Sequence, residues 1–417
     1  MSVRAPLGWR DFVGWRIVLL ATITGALTGP GQTVGVSVFV DPMIETLGLT
    51  RSELSTAYLI GTLVGAVALL PVGRFIDRVG VRQAMTLIGL GFGVGLLVMS
   101  GVQGFVTLVL GFTLIRWLGQ GSLQLVSTLA ITPWFERRRG SVFGIATTAT
   151  AVLMSLTPIL LGAAIGLFDW RVAWILSAFA IWLLVVPIAR FGIVDRPADV
   201  GQYADGDPAP HPSEEPPPAA ISRTRGEALR QSRFWLLSFV IGATSMLVTA
   251  LNFHQISLLG EQGLSVTEAA AMFLPQVLGT LVASLVMGAL ADRIQARYLL
   301  MTSMALLVLS LVLAAQLRPG PMILVYAVVL GAAAGAGRPL VATLLPRWYG
   351  LAHIGSIQGI AVFIAVAASS VGPVALSLPN EALGGFGPAA LVLVVIPIVV
   401  GLAALTISEP EFEPASR

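Results

Sequence analysis

The sequence repeats itself at a fixed distance of 215 residues. GRFIDRVGVR begins at Gly73 and GALADRIQAR at Gly288, so that Asp77 matches Asp292, Arg78 matches Arg293 and Arg82 matches Arg297. The same offset carries Gly48-Leu49 to Gly263-Leu264, Glu53 to Glu268, Gly140-Ser141 to Gly355-Ser356 and Pro158 to Pro373. One register without a net gap means two copies of one helical unit in tandem. In an apolar chain, two such units face each other across a central path.

The solvent for most of this chain has to be lipid. Hydrophobic residues make up 56% and charged residues 11% of the sequence, against about 25% charged in a soluble domain. Twelve mostly apolar stretches approach the roughly 20 residues that cross a bilayer: 14–39, 52–73, 83–102, 105–132, 141–166 and 170–191 in the first half, and 233–258, 267–290, 297–316, 320–345, 355–378 and 386–407 in the second. The expected fold is all-α and membrane-integral, with six-helix bundles at 1–191 and 233–417 and a disordered cytoplasmic linker at 192–232, where Pro216-Pro217-Pro218 follows Glu214-Glu215. The first apolar stretch has no clear cleavage site and reads as a retained span. Thr50-x-x-Glu53 and Ser265-x-x-Glu268 predict capping boxes at repeat-related helix starts.

Every basic side chain is arginine, and the arginines cluster at span ends rather than on one polar face, which argues against a nucleic-acid partner. With both termini cytoplasmic, nineteen of the 24 arginines fall on the inside and three on the outside, a bias one-sided enough to fix that topology; the expected location is the plasma membrane. There is no cysteine, and the three histidines lie far apart, so no metal or cofactor is expected. No Walker-type loop and no nucleophile constellation occurs, which leaves neither an ATP-driven device nor an enzyme as the expectation.

GRFIDRVGVR resembles the signature loop of the major facilitator superfamily at Gly73, Asp77, Arg78, Gly80 and Arg82, and Arg116 with Gly119-Gln120-Gly121 resembles that superfamily's second motif. Gly14-Trp15-Arg16, the stretch Ser37–Ser55 and Trp134–Gly140 are similar to bacterial monocarboxylate and oxalate/formate-type porters. The resemblance covers essentially the whole chain. It implies a secondary transporter working by alternating access as a monomer in membrane lipid, with a small anionic substrate and with protons or a counter-anion as partner. It also implies a conformational latch at Gly73, Asp77, Arg78, Gly80 and Arg82, with Asp292 and Arg293 as second-half equivalents; Asp77 would pair with a nearby arginine or face the start of a helix near Gly355, the alternative being a helix end with ordinary positive-inside charge. That porter group often carries a charge in span eight and a lysine in span one or eleven. Span eight here has no charge and the chain has no lysine, so an acid must be bound by other groups.

Two arginines lie at membrane depth, Arg116 in span four and Arg338 in span ten. A buried guanidinium is costly and normally lines the bundle interior or a wet cavity, where it can take a carboxylate in a bidentate pair. The alternatives are an arginine bonded to backbone carbonyls for Arg116 and one that snorkels to the surface for Arg338. Pro339 predicts a broken or bent helix beside Arg338. Asn252 and Gln255 share a face of span seven and, with Gln32 in an irregular part of span one, are candidate substrate contacts. His254 and Asp41 are candidate proton carriers; the alternatives are a hydrogen-bonding interface residue for His254 and a helix-terminating one for Asp41. The competing functions are a drug or metabolite exporter, disfavoured by the lack of a mid-membrane acid, and a transport-derived sensor or membrane enzyme.

Overall fold

A computed structural model describes residues 12–135, 138–207, 223–291, 293–350 and 354–407, and every described secondary-structure element is helical. Among the described residues eleven helices are long and apolar enough to cross a membrane. The remaining expected span is present as Arg51–Ala68, whose first turn carries Arg51 and Glu53 and is therefore less apolar. Large apolar side chains such as Leu183 (75% exposed), Leu285 (74%) and Leu402 (62%) stand on the outside, the surface that lipid covers. This is an integral membrane protein.

Backbone contacts divide the chain into two compact units, Met1–Glu214 with Leu264–Ala271, and Glu215–Gly263 with Met272–Arg417. In the first, span two (Arg51–Ala68) packs on span four (Phe105–Leu114, Ile115–Leu123 and Gln124–Ile131), and span three (Val81–Ser100) on span six (Trp170–Pro187). Span one (from Val13–Ala26) packs on span five (Arg139–Met154 and Thr157–Leu167). In the second, the same pairs recur: span eight (Phe273–Ala291, its opening helix Val266–Ala271 falling in the first unit) with span ten (Pro321–Tyr349), span nine (Ala296–Ala315) with span twelve (Phe386–Leu393 and Val395–Ala404), and span seven (Ser232–Gly260) with span eleven (Ile354–Leu383). The repeat is thus one of packing as well as of sequence.

Small residues set these crossings. A Cβ on Gly331 of span ten would lie 2.0 Å from the Gln276 carbonyl oxygen, and one on Gly279 of span eight 2.1 Å from that of Val328. Lipid offers apolar side chains no incentive to leave it, so close backbone approach and interhelical hydrogen bonds do the work. The Thr280 and Ser284 hydroxyls donate to the Gly331 and Gly335 carbonyls, both at 2.9 Å. In the 215-residue register Gly65 corresponds to Thr280 and Arg116 to Gly331. The small residue therefore changes helix: Gly65 of span two lets the backbone of span four approach beside Arg116, its ideal Cβ lying 3.1 Å from Trp117 N and 3.3 Å from the Thr113 carbonyl oxygen.

Both predicted capping boxes form. Glu53 N–H donates to Thr50 Oγ1 (3.1 Å) and Thr50 N–H to Glu53 Oε2 (2.8 Å), with the same reciprocal pair between Ser265 and Glu268. Gly48 and Gly263, the repeat-related residues just before them, both adopt positive φ, at 64° and 87°. Three expectations change. Asp41 does not terminate a helix: it lies in the first turn of Val40–Leu47, where Pro42 lacks only an N–H that would be unbonded anyway. Span ten is not broken at Pro339, because the carbonyl that the proline leaves without its helical donor, that of Gly335, accepts from Ser284 instead. The flanks of 192–232 are folded, with short helical turns at Pro197–Val200 and Ala204–Gly206 and a capped helix at Arg225–Leu229. They are tied down by Val13 N–H to Gln202 Oε1 (3.0 Å) and Arg223 N–H to the Tyr349 carbonyl (2.9 Å). The proline-rich stretch 208–222 lies outside the described residues.

Candidate functional site

In the first unit the polar groups at membrane depth gather where span one loses its helix. Val13–Ala26 gives way to a 3-10 turn at Gly29–Gly31, then to an extended Gln32 (φ −89°, ψ 160°), and the helix resumes at Thr33. Pro30 inside Gly29-Pro30-Gly31 explains the break. Gly31 also allows a close approach, since a Cβ there would lie 2.7 Å from the Ile115 carbonyl oxygen. The facing part of span four, Ile115–Leu123, is a π-helix; the Ser122 hydroxyl donates to the Trp117 carbonyl five residues back at 2.8 Å. Such widened turns recur at functional sites.

Arg116 lies in this π segment, 4% exposed. Its Nη1 donates to the Gly31 carbonyl at 3.2 Å, and its guanidinium carbon is 4.9 Å from the Tyr58 ring centroid, a cation–π distance. Its Nε–H is buried without an acceptor. Among the described residues no carboxylate lies within ion-pairing distance of it. Tyr58 OH and Thr33 Oγ1 are 2.8 Å apart. Gln32 donates to Thr28 Oγ1 (3.1 Å), which is 3.3 Å from Gln124 Oε1. Gln124 also lines a small, mostly apolar cavity of about 30 Å³, to which Thr22, Ser127, Thr147 and Thr150 contribute. The arrangement is a fixed positive charge with an unused donor, braced by a broken helix.

In the second unit Gln255 is fully buried and its Oε1 accepts from Gln276 Nε2 of span eight, while Gln255 Nε2 has no acceptor. Asn252 Oδ1, one turn away on the same face, is also buried without a partner. His254 is fully buried, with Nε2 3.1 Å from the Pro373 carbonyl. A carbonyl only accepts, so that nitrogen carries the proton. The ring also packs against Phe253 and Phe386. Asp41 is elsewhere: its carboxylate pairs with Arg51 at 2.5 Å and is partly exposed.

The signature loop links spans two and three. Gly73, Arg74 and Arg78 lie on the short helix Val72–Val79, and Gly80 turns the chain at φ 84°. Its counterpart in the second half, Gln295, has φ −58°, so at this position the second loop does not repeat the positive φ that favours glycine. A Cβ on Gly80 would lie 2.9 Å from the Asp195 carboxylate, which accepts the Arg82 N–H at 2.8 Å. Asp77 is on the same helix, but its side chain, like that of Arg338, is outside the described atoms. Asp292 lies outside the described residues, and Arg293 is exposed just beyond it.

The family model of the Major Facilitator Superfamily matches residues 20–275 and 253–417. The chain belongs to this superfamily. No curated protein matches this superfamily member by sequence. Solved structures of similar fold include a bacterial homolog of the human lysosomal transporter Spinster, inward-facing and unoccupied, with TM-score 0.74 at 17% identity over 95% of this chain and 97% of that one. The occupied form gives 0.70 at 16% identity, again over 95% and 97%. The nucleoside transporter NupG gives 0.73 at 12% identity over 93% and 98%. At these identities the likeness is one of fold.

Of the predicted site residues, the superfamily fold brings Arg116 close to the break that contains Gln32, and puts Gln255 and Asn252 on one face of span seven. Sequence reasoning missed Gln276, Tyr58, Gln124 and Asp195. Gln276 is the one strongly polar side chain in the middle of the apolar span eight, a signal obscured by looking there for a charge. Asp195 has no local signal at all, because its partner is 113 residues away.

Proposed function

We propose that this protein is a secondary transporter for a small organic anion, with a monocarboxylate as the preferred class. It would work as a monomer in the plasma membrane, with both termini cytoplasmic, by alternating access of its two halves. Proton symport or anion exchange would drive it; His254 and Asp41 are the proton candidates. The loop residues Gly73, Asp77, Arg78, Gly80 and Arg82, with Asp292 and Arg293, would gate it.

The observation that carries this reading is Arg116: a guanidinium buried at membrane depth, with no carboxylate beside it among the described residues and an unused Nε–H. A substrate anion supplies the missing charge and acceptor, and the pair gains from the low local dielectric. Gln32, Asn252, Gln255 and Arg338 are proposed as the further contacts. The second reading of Arg116, a brace for broken span one, rests on its bond to Gly31.

The test is uptake of labelled small carboxylates into proteoliposomes under an inward proton gradient, with a nucleoside as the comparison substrate. Arg116→Gln should lower carboxylate uptake efficiency at least about tenfold, as expected for losing a charged hydrogen bond, while Arg116→Lys retains part of it. Equal uptake by a stable Arg116→Gln protein moves the site elsewhere, with Arg338→Ala the next variant. No uptake of any acid, with or without trans-loaded anion, sinks the monocarboxylate reading and favours an exporter.

A further inference from the structure

Spans three and six pack against each other and open a cleft of about 530 Å³ where span three begins and span six ends. Arg82, Gln83, Thr86, Leu87, Arg190 and Asp195 are among its lining residues. Asp195 already accepts the first-turn N–H of Arg82 at 2.8 Å and so serves the helix start. The lining carries two guanidinia and one carboxylate, and the Arg82 Nε–H is buried with no acceptor. The volume lies within the range of small-ligand sites.

The cleft does not stand alone on the surface. Leu87, Leu90 and Val94 lead away from it along span three at i, i+3, i+7 spacing, 46%, 42% and 51% exposed, and Phe191 next to Arg190 is 81% exposed. Leu87, Leu90 and Val94 share one outward stripe of span three. A cationic pocket at the head of an outward apolar stripe matches a molecule with an anionic head and hydrocarbon tails. We infer that the cleft binds the phosphate of an anionic phospholipid, with Arg82 and Arg190 as its donors and the Leu87–Leu90–Val94 stripe along its acyl chain. Juxtamembrane arginines gain from anionic lipid in this way, and the site adjoins Gly80, so its occupant would sit against the signature loop. This inference is independent of the transported substrate.

Native mass spectrometry of the full chain in detergent tests it, with dioleoyl phosphatidylglycerol against dioleoyl phosphatidylcholine as probes. The phosphatidylglycerol should bind about tenfold more tightly, and Arg82→Gln with Arg190→Gln should bring it down to the phosphatidylcholine level. If that double variant does not fold, judged by its thermal transition, Arg190→Gln alone should still weaken phosphatidylglycerol about threefold, since the side chain is at the surface. Equal binding of the two lipids by the native chain overturns the inference, as does a preference that survives in the variants. Displacement by glycerol phosphate at the same concentration as the lipid would assign the cleft to a soluble phosphate ester and overturn the lipid assignment.

Discussion

Ser284→Ala is the sharpest test of how the second unit is held together. Pro339 cannot donate to the Gly335 carbonyl four residues before it, and the Ser284 hydroxyl does so from the neighbouring span at 2.9 Å. Gly335 is buried, so removing the hydroxyl leaves a carbonyl without its donor away from water. An unsatisfied buried acceptor costs about 1–3 kcal/mol, whereas interhelical bonds in membranes average nearer 0.6 kcal/mol. We expect a loss of about 1–2 kcal/mol. In a unit of this size that lowers the thermal midpoint by roughly 2–4 °C per kcal/mol, hence by about 2–8 °C in detergent. Pro339→Ala restores the backbone N–H and should absorb most of the effect: in that background Ser284→Ala should cost less than about 0.5 kcal/mol. The assay is thermal unfolding of the four proteins of this cycle. If Ser284→Ala lowers the midpoint equally with and without Pro339, the hydroxyl is not replacing the missing backbone donor, and the reasoning fails.

Two further substitutions probe the same packing. Gly331→Ala puts a Cβ 2.0 Å from a backbone oxygen of span eight and should destabilise by about 1–3 kcal/mol. Gly144→Ala, whose Cβ meets nothing within 4 Å, should leave the midpoint unchanged; similar midpoints for the two variants would contradict the close crossing. Gln255→Leu and Gln276→Leu each strand one amide of a buried pair, so the double variant should be more stable than the two single losses predict, by about 0.5–1 kcal/mol. Strict additivity in the unfolding transitions would show that the two amides are not coupled.

Much of the architecture was legible because its causes are local or periodic. Spans follow from apolar length, helix starts from Thr50-x-x-Glu53 and Ser265-x-x-Glu268, and duplication from a register that needs no three-dimensional information. Candidate residues were legible as exceptions to the solvent: a charge such as Arg116 in an apolar span is visible because lipid makes it expensive. The neutral polar groups were less so. Gln276 breaks no rule by itself, and its meaning comes from Gln255, 21 residues away on another helix.

Proline shows where local reasoning ends. Pro30 breaks span one and Pro339 does not break span ten, although both lie beside glycine-rich sequence at membrane depth. Around Pro30 the chain abandons its helix and Arg116 takes up the Gly31 carbonyl; around Pro339 a neighbouring serine takes up the freed carbonyl and the helix continues. The sequence by itself determined that there are two related halves, that their solvent is lipid, and that the few intramembrane charges are exceptional. Only the tertiary structure decided which carbonyl meets which donor, that Gly65 makes way for the backbone of span four where Gly331 makes way for that of span eight, and that Asp195 reaches Arg82. Those outcomes depend on contacts between helices distant in sequence, and in a membrane such contacts are selected by close backbone fit and hydrogen-bond satisfaction rather than by hydrophobicity.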